Sequence, residues 1–375
     1  MNADPINISK RHRSYKRATN DWEAGIEKTQ HEAVSVLQKA GLQNPQRVVR
    51  LIRDTIEYLE LDLRELTVLT EAASGPYVVT PVIAALAGAN RVVAMTRNSR
   101  YATMAEVTCQ TSALELLCGI EGRVDLIDAD NLPPAVLAKA DIVTNLGFVR
   151  PLNRAKLQAM RRGAVIPLMC EAWEIRPSDV DVAACQEHGI VVAGTNEDFP
   201  GVDVFHYSGW LASSLLLGAG IEMHKSRIIV AGSDKFASVI HKHLVNIGVD
   251  AVLMKTLRAD AIVGVDAILV ADYTRDEEII GAGGDIVSAD LARLAPGITV
   301  VQFAGRVDLD GLRALGVNVY PGEKLPSHRM VRTLAEIGPR PVIELHAAGL
   351  KVGQMLARPG QAPNVKYAAL VQSIF

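Results

Sequence analysis

The chain has 375 residues, a length that suits two domains of ordinary size. It is 49% hydrophobic and 22% charged, values that are typical of globular proteins and exclude a globally disordered chain. The formal net charge of −3 excludes a strongly basic protein, so we expect neither nucleic acid nor a membrane surface as a partner.

The cysteines and the hydropathy pattern narrow the class further. The four cysteines have no C-x-x-C spacing, which favours reduced thiols and no metal site. No apolar stretch reaches the roughly 18 residues of a transmembrane helix, and no signal-peptide pattern is present. We therefore expect a soluble, cytoplasmic protein. A basic cluster near the N-terminus suits a solvated tail better than a binding arm: Lys10, Arg11, Arg13, Lys16 and Arg17.

Residues 20–60 have helical periodicity, with apolar residues three and four positions apart. Asn44 followed by Pro45 suits an N-cap and the first turn of a helix. From Leu66 onward, short β-branched runs alternate with helical segments. Such strands, apolar on both faces and separated by helices, predict a parallel sheet covered on both sides.

A second series of strands and helices follows an apolar helix predicted at 202–224. It begins with RIIVAG at 227–232 and ends with PVIELHAAG at 341–349, which we predict as a strand. The sequence thus predicts an α/β protein with two doubly wound parallel-sheet domains. The predicted ranges are 1–60 for a helical extension, 61–203 with 350–375 for the first domain, and 204–349 for the second.

RIIVAGSDKFASVI (227–240) has the order strand, small-residue turn, helix that a dinucleotide-binding turn has. In G-x-G-x-x-G, the glycines allow a tight bend, close approach to the diphosphate, and helix–strand packing. Gly232 and Ala237 occupy the first and third places, but Asp234 occupies the second and would put a negative charge beside a diphosphate. The alternative is that Asp234 caps the following helix.

Five strings, in order, resemble the D-2-hydroxyacid dehydrogenase family over roughly residues 140–360. The resemblance implies a flavodoxin-like substrate domain, a Rossmann-like cofactor domain, and an NAD(P)-dependent oxidoreductase acting on a small anionic hydroxy or keto substrate. It also implies a homodimer. The strings are ADIVTNLGFVRPLNRAKLQAM, SDVDVAACQEHGIVVAGT, VDVFHYSGWLASSLLL, NVYPGEKLP and ELHAAG.

Carried over by position, the resemblance implies that His346 is the acid/base and that Glu323 holds it protonated. A carboxylate next to a histidine favours the charged imidazole, which suits a proton donor. Ala304 stands where the family has its substrate-binding arginine, so Arg306 or Arg150 would replace that arginine. The alternative is that the histidine and the glutamate are ordinary surface and capping residues.

The resemblance further implies NAD or NADP at the turn after residue 231. Lys255 and Arg258 follow the next strand where an acidic residue would bind the adenine ribose, which favours the 2′-phosphate of NADP. In the family's substrate loop this chain has EIRPSD (174–179), which is bulkier and charged. The cofactor-binding residues implied are Gly232, Ser233, Asp234, Lys235, Phe236, Lys255, Arg258 and Ala304.

A second strand–turn–helix occurs at 66–97, with Glu71, Ser74, Gly75 and Tyr77 in its turn. It resembles the first motif of S-adenosylmethionine-dependent methyltransferases, and a turn at a helix N-terminus is suited to anions. Arg97 would add positive charge. The alternative is an ordinary turn between a strand and a helix.

Three functions therefore stay open. The first is an NAD(P)-dependent oxidoreductase with the residues given above. The second is a descendant that keeps the fold without dinucleotide redox chemistry, since fold does not determine function. The third is group transfer with a nucleotide-type ligand at Glu71–Tyr77.

Overall fold

The computed structural model describes residues 29–358, 360 and 365–374, so the basic cluster near the N-terminus lies outside the described residues. The chain divides into two compact units. Unit 1 comprises the residues up to Thr195 together with those from Val342, and unit 2 comprises Asn196–Pro341. Among the described residues, no helix has both the length and the apolar character needed to cross a bilayer.

The described residues form fourteen strands, which are numbered in chain order. They are β1 (Thr67–Glu71), β2 (Arg91–Thr96), β3 (Val124–Asp128), β4 (Ile142–Val143), β5 (Val165–Pro167), β6 (Val191–Thr195), β7 (Arg227–Ala231), β8 (Asp250–Met254), β9 (Ala267–Ala271), β10 (Glu278–Ile280), β11 (Thr299–Ala304), β12 (Arg306–Val307), β13 (Asn318–Tyr320) and β14 (Val371–Ser373).

The helices of the described residues are numbered in the same way. They are α1 (29–39), α2 (Pro45–Tyr58), α3 (Val79–Leu86), α4 (Met104–Cys118), α5 (Pro134–Leu137), α6 (Arg154–Ala159), α7 (Val182–His188), α8 (Tyr207–Gly218), α9 (Lys235–Asn246), α10 (Ser288–Leu294), α11 (Leu309–Ala314) and α12 (Arg340–Ala357). Asn44 caps α2 by accepting from the Arg47 N–H, as predicted.

The sheet of unit 1 has the order β3-β2-β1-β4-β5-β6-β14. The first six strands are parallel, and β14 pairs antiparallel with β6. The chain order therefore reverses between β1 and β4. In open α/β sheets, ligands bind outside the carboxyl ends of the strands at such a reversal.

The sheet of unit 2 has the order β8-β7-β9-β11-β13, with all pairs parallel, and β10 and β12 form a separate parallel pair. The α/β class with two doubly wound parallel sheets is confirmed. The two strand orders occur in the opposite units from those that the resemblance implies. In unit 1, two strands, β2 and β3, lie on one side of the first strand β1. In unit 2, one strand, β8, lies on the corresponding side of the first strand β7.

Both faces of the unit 2 sheet are buried, which explains its continuous apolar strands. In β9, Ile268 and Val270 pack in a core with Leu291 of α10, while Leu269 packs in another core with Phe236 of α9. In unit 1, α5, α6 and α7 cover one face. On the other face, a Cβ at Gly353 of α12 would lie 3.0 Å from a side-chain carbon of β4 and one of β5.

The strand prediction for 341–349 is wrong, because the segment belongs to the 18-residue helix α12. Ile343, Ala347 and Leu350 are fully buried, and their spacing of four and three residues is that of one helix face. The β-branched pair at the start of the segment suggested a strand, but the burial period is helical.

The hydroxyls of Thr70 and Thr144 lie 3.0 Å apart in the interior, where they join β1 to the residue after β4. Thr144→Val would leave the Thr70 hydroxyl without this partner, and we expect a loss of about 1–3 kcal/mol in the free energy of unfolding. The double variant Thr70→Val/Thr144→Val should lose less than the two single variants together. Urea unfolding measures all three, and additive losses would contradict the prediction.

Candidate functional site

The reversal in unit 1 brings the end of β1 together with the loop after β4. Glu71 is the last residue of β1, is buried, and accepts a hydrogen bond of 2.7 Å from the backbone N–H of Phe148. Burial raises the pKa of Glu71, although this hydrogen bond and the charge of Arg150 act against the rise. A buried carboxyl group at this edge is suited to proton transfer.

Arg150 lies beside this carboxyl and makes an ion pair of 2.6 Å with Asp179. Asp179 also accepts from the guanidinium of Arg176, at 2.5 Å. Burial opposes ionisation of Asp179, but the two arginines outweigh it and lower its pKa. The cluster therefore has two guanidinium groups on one carboxylate. The sequence reasoning missed Arg176, and the charged string EIRPSD was the signal that indicated it.

The turn after β1 does not form an anion cradle of its own. Gly75 has a φ of +64°, which suits glycine, and its N–H donates to the Gln110 side chain at 3.0 Å. Ser74 makes no side-chain capping bond, and the ring of Tyr77 lies 6.1 Å from that of His346. The backbone donor that an anion would use at Gly75 is therefore bonded inside unit 1.

His346 lies in the middle of α12, and not in a loop at a strand end as expected. It is buried, and its Nδ1 lies 2.6 Å from the hydroxyl of Thr80 in α3. Burial lowers its pKa to about 4, so the imidazole is neutral near pH 7. Burial thus acts against the protonated imidazole that the resemblance implies, and the acid/base role of His346 stays a prediction.

Glu323 belongs to unit 2, whereas His346 belongs to unit 1. The Glu323 carboxylate accepts from the guanidinium of Arg332 at 2.7 Å. Arg306 begins β12 and donates to the Asp276 carbonyl at 3.0 Å. Arg306 also lines a cavity of about 400 Å³ in unit 2, whose wall includes Lys324. The joint catalytic role of these residues stays a prediction.

At the turn after β7, glycine is required by close packing. A Cβ at Gly232 would lie 2.1 Å from the carbonyl oxygen of Ala271, at the end of β9. The N–H and the hydroxyl of Ser233 both donate to the buried carboxylate of Asp272, each at 2.9 Å. The turn is therefore bonded directly to the residue that follows β9.

Asp234 makes the second connection between these segments. One of its oxygens accepts from the N–H of Ala237 at 3.2 Å, so the predicted helix cap is confirmed. The other oxygen accepts from the N–H of Tyr273 at 2.5 Å. Burial raises the pKa of Asp234 against these two hydrogen bonds.

The side chains of Lys235 and Phe236, the next two residues, contact other residues of unit 2. Lys235 pairs with Asp198 at 2.8 Å, and its ammonium lies 4.1 Å from the centre of the Phe205 ring. Phe236 is buried and packs against Phe205 and Phe303. Their side chains therefore have partners inside the unit.

The remaining cofactor candidates are at the ends of two strands. Lys255 and Arg258 follow β8 and are exposed, and Arg258 lies 3.5 Å from the exposed Asp260. Ala304 is fully buried at the end of β11, where its carbonyl accepts from the Asp272 N–H.

The residues of this turn do not fit a dinucleotide diphosphate. A diphosphate binds to the free N–H groups at the start of the helix. Here the N–H groups of Ser233 and Ala237 are bonded to Asp272 and Asp234. The carboxylates of Asp272 and Asp234 thus accept the hydrogen bonds that a diphosphate would accept. Among the described residues, no group of three or more His, Cys, Asp or Glu could hold a metal ion.

Comparisons with known proteins identify the fold. No protein-family model and no curated protein matches the chain. The chain is similar to a dipicolinate synthase chain from Bacillus subtilis, with 10% identity, a TM-score of 0.51, and coverage of 80% of this chain and 100% of that one. This likeness shows a shared fold.

Two further solved structures are similar at lower scores. A dipicolinate synthase chain from Bacillus halodurans has 10% identity and a TM-score of 0.48, with 80% of this chain and 100% of that chain covered. An NAD-complexed D-isomer specific 2-hydroxyacid dehydrogenase from Lactobacillus delbrueckii ssp. bulgaricus has 9% identity and a TM-score of 0.44, with 79% and 98% covered. The structural neighbours thus include D-2-hydroxyacid dehydrogenases, as the sequence resemblance predicts.

The burial of His346 predicts a pH dependence of stability. An ordinary histidine has a pKa of about 6.5, and the folded value here is about 4. The unfolded chain therefore binds more protons between these values, and stability present above about pH 6.5 is lost as the pH falls toward 4. Over this interval, we expect wild type to lose about 3 kcal/mol more than His346→Gln. Urea unfolding at several pH values measures the difference, and identical pH profiles would contradict the prediction.

Proposed function

We propose that the protein is an enzyme of small-molecule metabolism whose ligand site lies at the carboxyl edge of the unit 1 sheet, between β1 and β4. We further propose that it does not hold a nicotinamide dinucleotide at Gly232. The observation that carries the second part is that Asp272 and Asp234 accept hydrogen bonds from N–H groups of the β7–α9 turn. The buried carboxyl of Glu71 at the strand reversal carries the first part.

Electrostatics supports the second half of this proposal. A diphosphate in the turn would lie beside two carboxylates and would have to displace their hydrogen bonds. Repulsion between unit charges about 4 Å apart amounts to about 4 kcal/mol at a surface-like dielectric constant. This corresponds to a loss of two to three decades in affinity.

The first half is supported by the groups at the unit 1 edge. Glu71 is buried at the strand reversal, where α/β proteins bind ligands. The guanidinium of Arg150 acts on Glu71 through its charge and pairs with Asp179, and a guanidinium is suited to binding an anionic group of a substrate. In the proposed site, Glu71 transfers a proton and Arg150 binds the anionic group.

A second candidate function is an NAD(P)-dependent oxidoreductase. It is favoured by the close packing that still requires glycine at 232, and by the exposed Lys255 and Arg258 beyond β8, which suit the 2′-phosphate of NADP. In this candidate, His346 acts as acid/base with Glu323. This second candidate function also includes a cytoplasmic location and a homodimeric assembly.

Titration with NADH and NADPH distinguishes the two candidates. For wild-type protein, we expect no change in nicotinamide fluorescence and no shift in melting temperature up to millimolar cofactor, because the turn amides are already bonded. A saturable response to either cofactor would favour the oxidoreductase. The variant Asp234→Asn is titrated in the same way. It keeps the size of the side chain and removes its charge, so it separates the effect of charge repulsion on cofactor binding from the effect of side-chain size.

The proposed ligand site predicts a specific effect of Glu71. Small carboxylates and keto acids that raise the melting temperature of wild-type protein should have little effect on Glu71→Gln and Arg150→Gln. Glu115→Gln is a matched control, because Glu115 is also buried in unit 1 and accepts from two backbone N–H groups. Equal responses in all three variants would contradict the assignment of the site.

A further inference from the structure

The loop after β2 extends over the end of β1. Arg97 follows β2, and its guanidinium carbon lies 5.4 Å from the centre of the Phe148 ring, in the loop after β4. Phe148 in turn donates its backbone N–H to Glu71. Since β1 lies between β2 and β4, Arg97 is placed at the reversal itself.

The positive charge of Arg97 is only weakly neutralised by its ion pair. Its carboxylate partner is Asp130, at 3.3 Å, and the two side chains are 49% and 66% exposed. Ion pairs this exposed contribute little, because water and salt screen them. The aromatic ring of Phe148 supports the guanidinium without supplying a negative charge.

Lys156 adds a second cation beside Arg97. Its ammonium donates to the Val149 carbonyl at 2.8 Å and, among the described residues, has no carboxylate partner. Arg97 stacks on Phe148, and Lys156 donates to the next residue, so the two cations contact adjacent residues of the same loop. Burial lowers the pKa of Lys156, and the charge of Arg97 adds to that effect. An ammonium has three N–H donors, and two remain beyond the bond to Val149.

We propose that Arg97 and Lys156 bind a phosphate group of the ligand at the unit 1 edge. The inference deepens the proposed function and rests on it. Two neighbouring cations without strong carboxylate partners are best neutralised by a dianion. Arginine and lysine are the side chains that bind phosphate most often, one through a planar fork and the other as a point charge. The substrate class is thus a phosphorylated small molecule, with Glu71 beside the reacting part.

Arg100 provides a matched control in the same loop. It is exposed, and its guanidinium lies 4.7 Å from the ring centre of its neighbour Tyr101, to whose hydroxyl it also donates. It thus shares charge, exposure and aromatic support with Arg97. It differs in stacking on its own loop and not on the loop after β4.

The test is calorimetric titration of the full chain with inorganic phosphate, against sodium chloride at the same ionic strength. We expect saturable binding to wild type, with affinity reduced about tenfold or more in Arg97→Gln and in Lys156→Gln, and unchanged in Arg100→Gln. Circular dichroism confirms that each variant is folded, and glutamine retains a donor for the Val149 carbonyl.

Each outcome decides the inference. Absence of binding to wild type overturns it, as does an equal loss in Arg100→Gln, which indicates general charge attraction. Retained affinity in Lys156→Gln overturns the role of the lysine. Failure of the proposed ligand site is recognised separately, as equal melting-temperature responses of Glu71→Gln, Arg150→Gln and Glu115→Gln to small carboxylates, which phosphate titration does not report.

Discussion

The first N–H groups of a helix have no partners within the helix, and the chain provides them for α9 from its own carboxylates. Asp234 and Asp272 accept from this turn and join it to the end of β9. A negative charge at a helix N-terminus is favourable whether it comes from a ligand or a side chain. The geometry of unit 2 at this edge therefore depends on internal anions.

Unit 1 has exposed or carbonyl-bonded cations at its strand reversal. The guanidinium of Arg97 pairs with the exposed Asp130, and the ammonium of Lys156 donates to a backbone carbonyl. Burial raises the pKa of Glu71, the buried acid at this edge. Unit 2 thus supplies its own carboxylates at the turn, whereas we propose that unit 1 binds an external anion at its strand reversal.

Much of the architecture was predictable from local pattern. The α/β class, the helix cap at Asn44 and the cap at Asp234 follow from residue type and spacing, because they depend on nearby residues. The helix through His346 was not predicted, since Val342 and Ile343 favour a strand locally and only tertiary packing shows the helical face.

The candidate site was less predictable than the fold. Glu71 was visible as an acid at a strand end, but its contact with Phe148 spans 77 positions of the sequence. Arg176 and Lys156 could not be assigned because their partners depend on strand order. That order differs between the two units in a way that the linear succession of strands and helices does not reveal.

The bonding of the β7–α9 turn limits which substitutions the turn tolerates. Glycine at 234 would remove a helix cap and the acceptor of the Tyr273 N–H, while Asp272 would still bind Ser233. A single substitution toward the dinucleotide pattern would thus cost stability before it admits a phosphate. A diphosphate-binding turn would therefore require both aspartates to be replaced together.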